Sequence, residues 1–339
     1  MDFDLNDDQQ EIQRVARELL AARAPFARVR QAAEAERYDD ALWRELIELG
    51  WPGIAVDEEH GGQGLGAVEL AVLLEQLGYA CAAVPLLGSA VAAAVIQAAG
   101  TAQQRARWLP GLAAGQLQGA VGTRELAADA VGADVLVLLE ADGAQLLERP
   151  DAEPLRTIDP TRRFARVRAG QGEPLGPGAA ARVYAAVAAE VVGVSQRALD
   201  MTLEYVKQRR QFGVPVGSFQ AVSHRCAQML LHTESARSTA YFAAWAAAAE
   251  PERLPEAAAL AGACAADGGR EVAAGAIQAH GGIGFTWEAD VHWLYKRAQL
   301  DTALLGGAAR HRAVLARAAA AGVSAVTARI SPASAYIEA

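Results

Sequence analysis

The sequence contains little cysteine and no long uninterrupted apolar run. Its three cysteines, Cys81, Cys226 and Cys264, are odd in number and widely spaced within apolar segments, which argues against a disulfide framework or a metal site. No stretch approaches the roughly eighteen consecutive apolar residues of a membrane span. The acidic start, residues 1–4, lacks the apolar region of a secretory signal. We therefore expect a cytoplasmic protein with buried thiols, no bound metal and no membrane span.

Basic residues are also in deficit. Lysine occurs only at Lys207 and Lys296, and 31 basic residues against 40 acidic ones give a net charge of −9. A protein of this charge is repelled by nucleic acid and by anionic membranes, so neither is an expected partner. With 339 residues, 52% of them hydrophobic, the chain can form two or three small domains or one large domain with subdomains.

The first part of the chain is predicted to be helical. Asn6 precedes a run of apolar residues at helical spacing, and Tyr38-Asp39-Asp40 precedes a second such run; both patterns are typical of helix starts. Residues 50–64 are rich in glycine. Glycine-rich loops can cradle phosphate, but this one lacks the preceding strand and the lysine of a P-loop, which favours a structural turn. We place an N-terminal helical domain at residues 1–114.

A short β region is predicted at residues 115–176. Apolar runs at residues 135–140 and 144–148 flank a turn at Asp142, a pattern typical of a hairpin. Residues 164–168 alternate between apolar and basic side chains, which predicts an edge strand.

The remainder of the chain returns to helical periodicity. Two long helices are joined by a tight loop and are followed by a third helix from about residue 256. A final pair is predicted at about residues 290–300 and 303–322. We expect a four-helix bundle at residues 177–322 and a tail without clear periodicity at residues 323–339.

Two loops at the ends of these helices carry distinctive motifs. Residues 209–220 read Arg-Arg-Gln-Phe-Gly-Val-Pro-Val-Gly-Ser-Phe-Gln, and residues 278–285 read Gln-Ala-His-Gly-Gly-Ile-Gly-Phe. Arginines favour a helix C-terminus in any protein, and a glycine pair can simply end a helix. A guanidinium fork together with backbone amides that allow close approach is also the set of groups that binds a pyrophosphate.

Together the two motifs closely resemble the signatures of the acyl-CoA dehydrogenase family, flavoenzymes that desaturate acyl-CoA thioesters. The resemblance extends over roughly residues 1–320. It implies a mainly α fold with an N-terminal helical domain, a β domain and a C-terminal four-helix bundle. It also implies FAD bound across a subunit interface. It implies that Arg209, Gln211 and Phe212 of one subunit contact the cofactor. The residues of the neighbouring subunit that it implies as contacts are Gln278, Gly281 and Gly282.

The same resemblance implies partners for the reaction. The substrate is an acyl-CoA, and the electron acceptor is an electron-transfer flavoprotein or a similar protein. Arg237, on the second long helix, lies where the family pattern has an arginine near the CoA phosphates. An arginine that lies along a helix surface without binding a ligand explains the same residue equally well.

The catalytic base of the family is missing from this sequence. Family members remove the proton alpha to the thioester with a glutamate before the last helix, where this chain has Leu305, or early in the first bundle helix, where it has Val183 or Tyr184. Losing a positioned base lowers the rate by about 10²–10⁴-fold. Nearby glutamates, at positions 190, 234 and 288, are expected to serve packing or ion pairing. We therefore expect no catalytic residue in this chain.

The β region is also about half as long as the family's. Of the stretches that wall the flavin ring in the family, residues 122–126 are the only trace. Some bacterial members that act on CoA thioesters of steroid side chains resemble this pattern, including the stretch at residues 159–163. They are α₂β₂ heterotetramers of shortened, dissimilar subunits, and one subunit bears the base. The resemblance implies that this chain is such a subunit and relies on a second acyl-CoA dehydrogenase-like chain.

Two other classes of function remain open from the sequence. The first is a non-catalytic scaffold of the same fold, which would not need both cofactor motifs. The second is a flavin oxidase or monooxygenase on this scaffold, which can use other bases or none.

Overall fold

The computed structural model describes residues 4–141 and 143–330, with side chains as far as Ala320. The described chain begins with helices whose starts are set by side-chain caps. Asn6 and Gln9 form a reciprocal capping pair at the first helix, and Asp39 accepts a hydrogen bond from the Leu42 amide at the third. The N-terminal helices are α1 (Asp7–Arg23), α2 (Phe26–Glu34), α3 (Asp40–Glu48), α4 (Ala67–Ala80), α5 (Leu86–Ala99) and α6 (Ala102–Ala113).

A small sheet follows, and its described strands are β1 (Gly119–Gly122), β2 (Ala127–Ala128), β3 (Val135–Glu140), β4 (Gly143–Glu148), β5 (Asp151–Leu155), β6 (Phe164–Ala169) and β7 (Glu173–Pro174). The predicted hairpin is confirmed, because β3 and β4 pair with Val135 opposite Glu148; Asp142, at its turn, lies outside the described residues. In the sheet the described strands lie in the order β5-β6-β2-β1-β3-β4-β7.

The edge-strand prediction for residues 164–168 is wrong. Strand β6 lies inside the sheet, between β5 and β2. Its alternation reports that one face is buried, with Ala165 and Val167 in one core cluster, and a strand inside an antiparallel sheet can show the same pattern.

Long helices form the C-terminal part, so the predicted mainly α fold is confirmed. Helix α11 continues to Ile330, and the tail predicted from residue 323 therefore begins inside this helix; residues 331–339 lie outside the described part. None of the helices in the described ranges is long and apolar enough to cross a membrane. The helices are α7 (Ala179–Gln208), α8 (Gln220–Ala249), α9 (Leu254–His280), α10 (Val291–Leu305) and α11 (Gly307–Ile330).

The N-terminal helices meet the bundle through glycines. Helix α4 crosses α7 so closely that a Cβ added at Gly193 would lie 1.8 Å from the Glu75 carbonyl oxygen, and one added at Gly78 would lie 2.1 Å from the Glu190 carbonyl oxygen. Because only glycine permits this approach, the crossing fixes α7 against α4 along its buried face. The crossing holds the middle of α7, and the candidate site residues lie towards its two ends.

Candidate functional site

The loop after α7 is a tight hairpin that projects from one end of the bundle. Helix α7 ends at Gln208, and Arg209 turns the chain into two short strands, β8 (Arg210–Gln211) and β9 (Val214–Pro215). Between these strands Phe212 has φ +53° and Gly213 has φ +83°. Two left-handed residues in succession are what a two-residue type I′ turn requires. Arg209 and Gln211 are both exposed.

Phe212 occupies this turn at an energetic cost. Its side chain is 93% exposed, and its ring lies perpendicular to that of Phe219 with centroids 6.2 Å apart. A non-glycine residue held in the left-handed region is destabilised by about 1–3 kcal/mol, and an exposed ring recovers little of this through burial. Phe212 is therefore positioned to contact something outside the chain.

Helix α9 ends in a glycine-rich turn at Gly281–Phe285. Gly281 has φ +63° and ψ −140°, a conformation that side chains exclude. A Cβ added at Gly282 would meet nothing within 4 Å, so packing within the chain does not require glycine there. Gln278 and Gly282 are exposed. An open glycine backbone of this kind allows a ligand to approach the amides closely.

The two loops lie side by side at one end of the same chain. Tyr205, one turn before Arg209, stacks on His280 with ring centroids 4.4 Å apart, and His280 directly precedes Gly281. Burial lowers the pKa of His280, so the ring packs as a neutral group near pH 7. The resemblance implies that the two motifs contact the cofactor from different subunits, and this stays a prediction; within one chain the Tyr205–His280 contact brings the two loops together. We call residues 209–219 and 278–287 the bundle-end surface.

A cleft of about 470 Å³ opens on the bundle-end surface. It is lined by Gln278, Trp287, His292 and Lys296. The Lys296 ammonium lies 4.1 Å from the centroid of the Trp287 ring, and burial lowers its pKa. Both ring nitrogens of His292 are buried without a hydrogen-bond partner, and burial, aided by Lys296, lowers its pKa to about 4.

Sequence reasoning misses His292 and Lys296. The signal that could have found them is their i,i+4 spacing, which places them on one helix face directly after the glycine motif.

The positions that carry the base in the family are apolar and closely packed. Leu305 and Val183 are fully buried, and Tyr184 is 9% exposed. His311 donates a hydrogen bond from Nε2 to the Leu305 carbonyl oxygen at 2.9 Å, and its ring stands edge-on to Tyr184 with centroids 4.9 Å apart. Burial lowers the pKa of His311. We call Val183, Tyr184, Leu305 and His311 the closed cluster; it contains no carboxylate.

The nearby glutamates have other contacts. Glu234 is exposed and lies 3.3 Å from Arg237, and Glu288 is exposed on the loop before α10. Glu190 is fully buried and accepts hydrogen bonds from Arg162 and, at 2.8 Å, from Arg297. Glu190 and Glu234 are thus both paired with arginines, although Oε2 of Glu190 is buried without a hydrogen-bond partner.

Glu190 belongs to a buried charge network. Arg162 bridges Glu190 and Asp301, with 2.7 Å to Asp301, while Arg297 bridges Glu190 and Asp159 at 2.8 Å each. Three carboxyl groups face two guanidinium groups, so the network carries one negative charge too many if all are ionised. Burial, together with the charge of Glu190, holds the pKa of Asp301 well above its usual range. The sequence stretch at residues 159–163 therefore links the sheet to α7 and α10.

Arg237 is engaged within the chain. Its guanidinium binds the buried Glu75 of α4 and donates to Gln196 of α7 at 2.6 Å. Tyr241 donates to the other oxygen of Glu75 at 2.8 Å. The contact of Arg237 with a CoA phosphate stays a prediction. Across the described ranges no cluster of three or more His, Cys, Asp or Glu side chains is arranged to hold a metal ion.

Family models match the two helical parts of the chain. The model described as "Acyl-CoA dehydrogenase, N-terminal domain" matches residues 6–116, and "Acyl-CoA dehydrogenase, C-terminal domain" matches residues 179–320. Acyl-CoA dehydrogenase IpdE2 of Mycobacterium tuberculosis is 38% identical over 307 residues, which cover 88% of this chain and 93% of that protein.

Two solved structures with the same architecture each carry the names of two proteins. A chain of a variant of the Tcur3481-Tcur3483 steroid ACAD superposes with a TM-score of 0.83 at 30% identity, over 94% of this chain and 99% of that one. A chain of the ChsE4-ChsE5 complex from Mycobacterium tuberculosis gives a TM-score of 0.82 at 26% identity, with the same coverage.

Proposed function

Because this chain belongs to the acyl-CoA dehydrogenase family, whose members use FAD, we propose that it is one subunit of a heteromeric enzyme that introduces an α,β double bond into an acyl-CoA thioester. The chain contributes part of the flavin site, and a partner subunit of the same fold contributes the catalytic carboxylate. One contrast supports this most directly: the bundle-end surface is exposed, whereas Leu305 and Tyr184 fill the base positions.

The groups of the bundle-end surface fit the diphosphate of FAD. Arg209 offers an exposed guanidinium, Gln278 an exposed amide, and Gly282 a backbone with open space where a Cβ would be. Arg209 and Gln278 would hold the diphosphate, and the ring of Phe212 would shield it from water. When bound, FAD accepts the hydride that leaves the β-carbon of the substrate.

Residues 122–126, which correspond to the flavin-ring wall of the family, bond to other residues of this chain. Thr123 accepts a hydrogen bond from the Leu126 amide at 3.2 Å, and Arg124 donates to the Gly170 carbonyl oxygen at 3.3 Å. Glu125 pairs with Arg166. These polar groups are engaged within the chain, which supports a partner subunit that completes the ring site.

Proton removal also requires a partner. A general base must come within about 2.6–3.2 Å of the proton that it removes, and Leu305 cannot accept one. Burial raises the pKa of Tyr184, so the phenol stays protonated. His311 is 2% exposed, and its Nε2 proton is bound to the Leu305 carbonyl oxygen.

The relatives support the substrate class and the assembly. One solved relative is described as a steroid ACAD, and another as a complex of two proteins, ChsE4 and ChsE5. We propose that this chain likewise belongs to an α₂β₂ assembly and that the substrate is a steroid-derived acyl-CoA. The reduced flavin would pass electrons to an electron-transfer flavoprotein or a similar acceptor.

The test is to purify the chain alone and together with an acyl-CoA dehydrogenase-like subunit encoded beside it. Flavin absorbance and its bleaching by an acyl-CoA are then measured. We expect the complex to hold flavin, and Arg209→Ala to weaken flavin binding by about 1.5–3 kcal/mol. Arg253→Ala, which removes an exposed arginine at the other end of the bundle, is the control and should leave binding unchanged.

Three outcomes separate the alternatives. A monomeric chain that binds flavin and bleaches it with acyl-CoA at full rate would contradict the need for a partner. A colourless complex would favour the non-catalytic scaffold, for which the packed Leu305 is the supporting observation. Oxygen consumption by the complex without an added electron acceptor would identify a flavin oxidase or monooxygenase.

A further inference from the structure

A second cleft, of about 180 Å³, lies away from the bundle-end surface, between α1, the start of α2, α4 and α7. Arg197 is the residue of α7 that lines this cleft. It precedes Arg209 by twelve residues, or about 18 Å along the helix. Its polar wall is formed by Arg17, Gln76, Tyr79 and Arg197, and its apolar wall includes Leu20 and Phe26.

Two guanidinium groups face this cleft without a carboxylate partner. Arg17 lies over the face of Tyr79 at 3.6 Å from the ring centroid, and Arg197 lies 5.1 Å from the same centroid. Among the described residues neither arginine has a carboxylate oxygen within 4 Å, whereas Arg14, on the same helix as Arg17, pairs with two glutamates. Two positive charges at one ring repel each other unless an anion lies between them.

The acidic group bonded to Tyr79 accepts hydrogen bonds from donors other than the two arginines. Asp200 accepts a hydrogen bond from the Tyr79 hydroxyl at 2.9 Å and another from Gln196 at 2.8 Å. The Tyr79 hydroxyl oxygen in turn accepts from Arg197 at 3.3 Å. The remaining N–H groups of Arg17 and Arg197 are therefore available to a ligand.

A buried amide in the cleft is left without an acceptor. Gln76 is 1% exposed, and its Oε1 accepts a hydrogen bond from Nε of Arg17. Its Nε2 is buried and has no hydrogen-bond partner. An unsatisfied buried donor destabilises the fold, and a ligand acceptor would remove that penalty. The free groups of the cleft are thus all donors, and two of them are cations.

We propose that this cleft binds a small oxyanion, a carboxylate or phosphate group held by Arg17, Arg197 and the Gln76 amide. Carboxylates and phosphates match guanidinium groups because their paired oxygens accept parallel hydrogen bonds. The apolar wall at Leu20 and Phe26 accommodates a short apolar substituent on the anion.

Two probes distinguish the sources of such an anion. The complete protein is titrated calorimetrically with sodium phosphate and, separately, with sodium isobutyrate, at constant ionic strength. We expect saturable binding of one equivalent per chain: phosphate alone if the site takes a tetrahedral anion, isobutyrate alone or more tightly if it takes a carboxylate with an apolar tail. Arg197→Gln should weaken binding at least tenfold, and the control Arg14→Gln should not. Absence of saturable binding by both probes would overturn the proposal.

A second variant tests the site without any added ligand. Gln76→Glu replaces the orphan amide with a carboxylate beside Arg17 and Arg197, so it should raise the melting temperature and abolish binding of both probes. Gln103→Glu, which adds the same charge at an exposed position on α6, is the control and should do neither. If Gln76→Glu lowers the melting temperature relative to this control, or leaves probe binding unchanged, the cleft is not an anion site.

Discussion

The two ends of the C-terminal bundle differ in how closely their residues are packed against the rest of the chain. At the bundle-end surface Phe212 is exposed in a left-handed conformation, and Gly282 leaves space that nothing in the chain fills. In the closed cluster at the other end Leu305 and Val183 are fully buried. A surface that keeps unfavourable, unfilled features is built for an external contact, whereas a filled one has no room for substrate.

The charge network behind the closed cluster should give the largest effect on stability. Arg297→Met would leave Asp159 and Glu190 without one of their guanidinium partners in a fully buried setting, and breaking a buried pair in this way lowers the free energy of unfolding by about 3–5 kcal/mol. Urea unfolding measures the change. Arg253→Met, at an exposed pair, should lower it by less than about 1 kcal/mol. If both variants lower the free energy of unfolding equally, the buried charge network does not stabilise the closed cluster.

Asp301 should give a smaller effect that depends on pH. Because its pKa in the folded protein is raised above the unfolded value of about 3.9, its contribution to stability is complete below about pH 4 and is lost as the pH rises towards the folded pKa. Asp301→Asn keeps the neutral form, so its advantage over the native chain should grow by up to about 1.4 kcal/mol per pH unit. Urea unfolding at a series of pH values measures this.

The control for Asp301→Asn lies in the same network. Asp159→Asn removes the partner of Nε of Arg297 and should destabilise the protein near pH 7. If Asp301→Asn destabilises equally at every pH, Asp301 is ionised in the folded protein and the network is not overcharged.

At the bundle-end surface Phe212→Asn should separate stability from function. Asparagine tolerates the left-handed region better than phenylalanine, so the isolated chain should gain about 1 kcal/mol of stability. The assembled complex should at the same time retain less flavin. Gly213→Ala, in the same turn at φ +83°, should destabilise the chain instead. A chain that is destabilised by Phe212→Asn would show that the ring packs within the subunit after all.

The smallest stability effect is expected at Gly282. Gly282→Ala should change the free energy of unfolding by less than about 0.5 kcal/mol, because the added Cβ meets nothing within 4 Å, yet it should weaken flavin retention by the complex. The same substitution at Gly193, where the Cβ would lie 1.8 Å from the Glu75 carbonyl oxygen, should cost at least about 1–3 kcal/mol. Equal flavin retention in the native and Gly282→Ala complexes would remove Gly282 from the cofactor site.

Features with a local pattern could be predicted from the sequence, and features that depend on distant residues could not. The caps at Asn6 and Asp39 and the hairpin of β3 and β4 each follow from a few neighbouring residues, and the structure confirms them. The position of β6 within the sheet is not local, because alternation reports a buried face and not the strand's neighbours.

The candidate site divides in the same way. The two motif loops are recognisable in the sequence, but their contact through Tyr205 and His280 joins segments that are 75 residues apart. The network of Arg162, Glu190 and Arg297 is likewise assembled from three distant segments, so no spacing in the sequence predicts it. The residues of the second cleft, Arg17, Gln76 and Arg197, are missed for the same reason.

The most direct test of the central claim, that this chain lends a flavin-binding surface but no base, is rapid-mixing measurement of flavin reduction by an acyl-CoA in the assembled complex. Each candidate carboxylate is replaced in turn: the partner's glutamate, and here Glu190→Gln, Glu234→Gln and Glu288→Gln. We expect the partner's substitution to slow reduction by about 10²–10⁴-fold and the three substitutions in this chain to leave the reduction rate within about threefold of native. A drop of about a hundredfold or more on replacing any glutamate of this chain, with acyl-CoA binding intact, would contradict the claim.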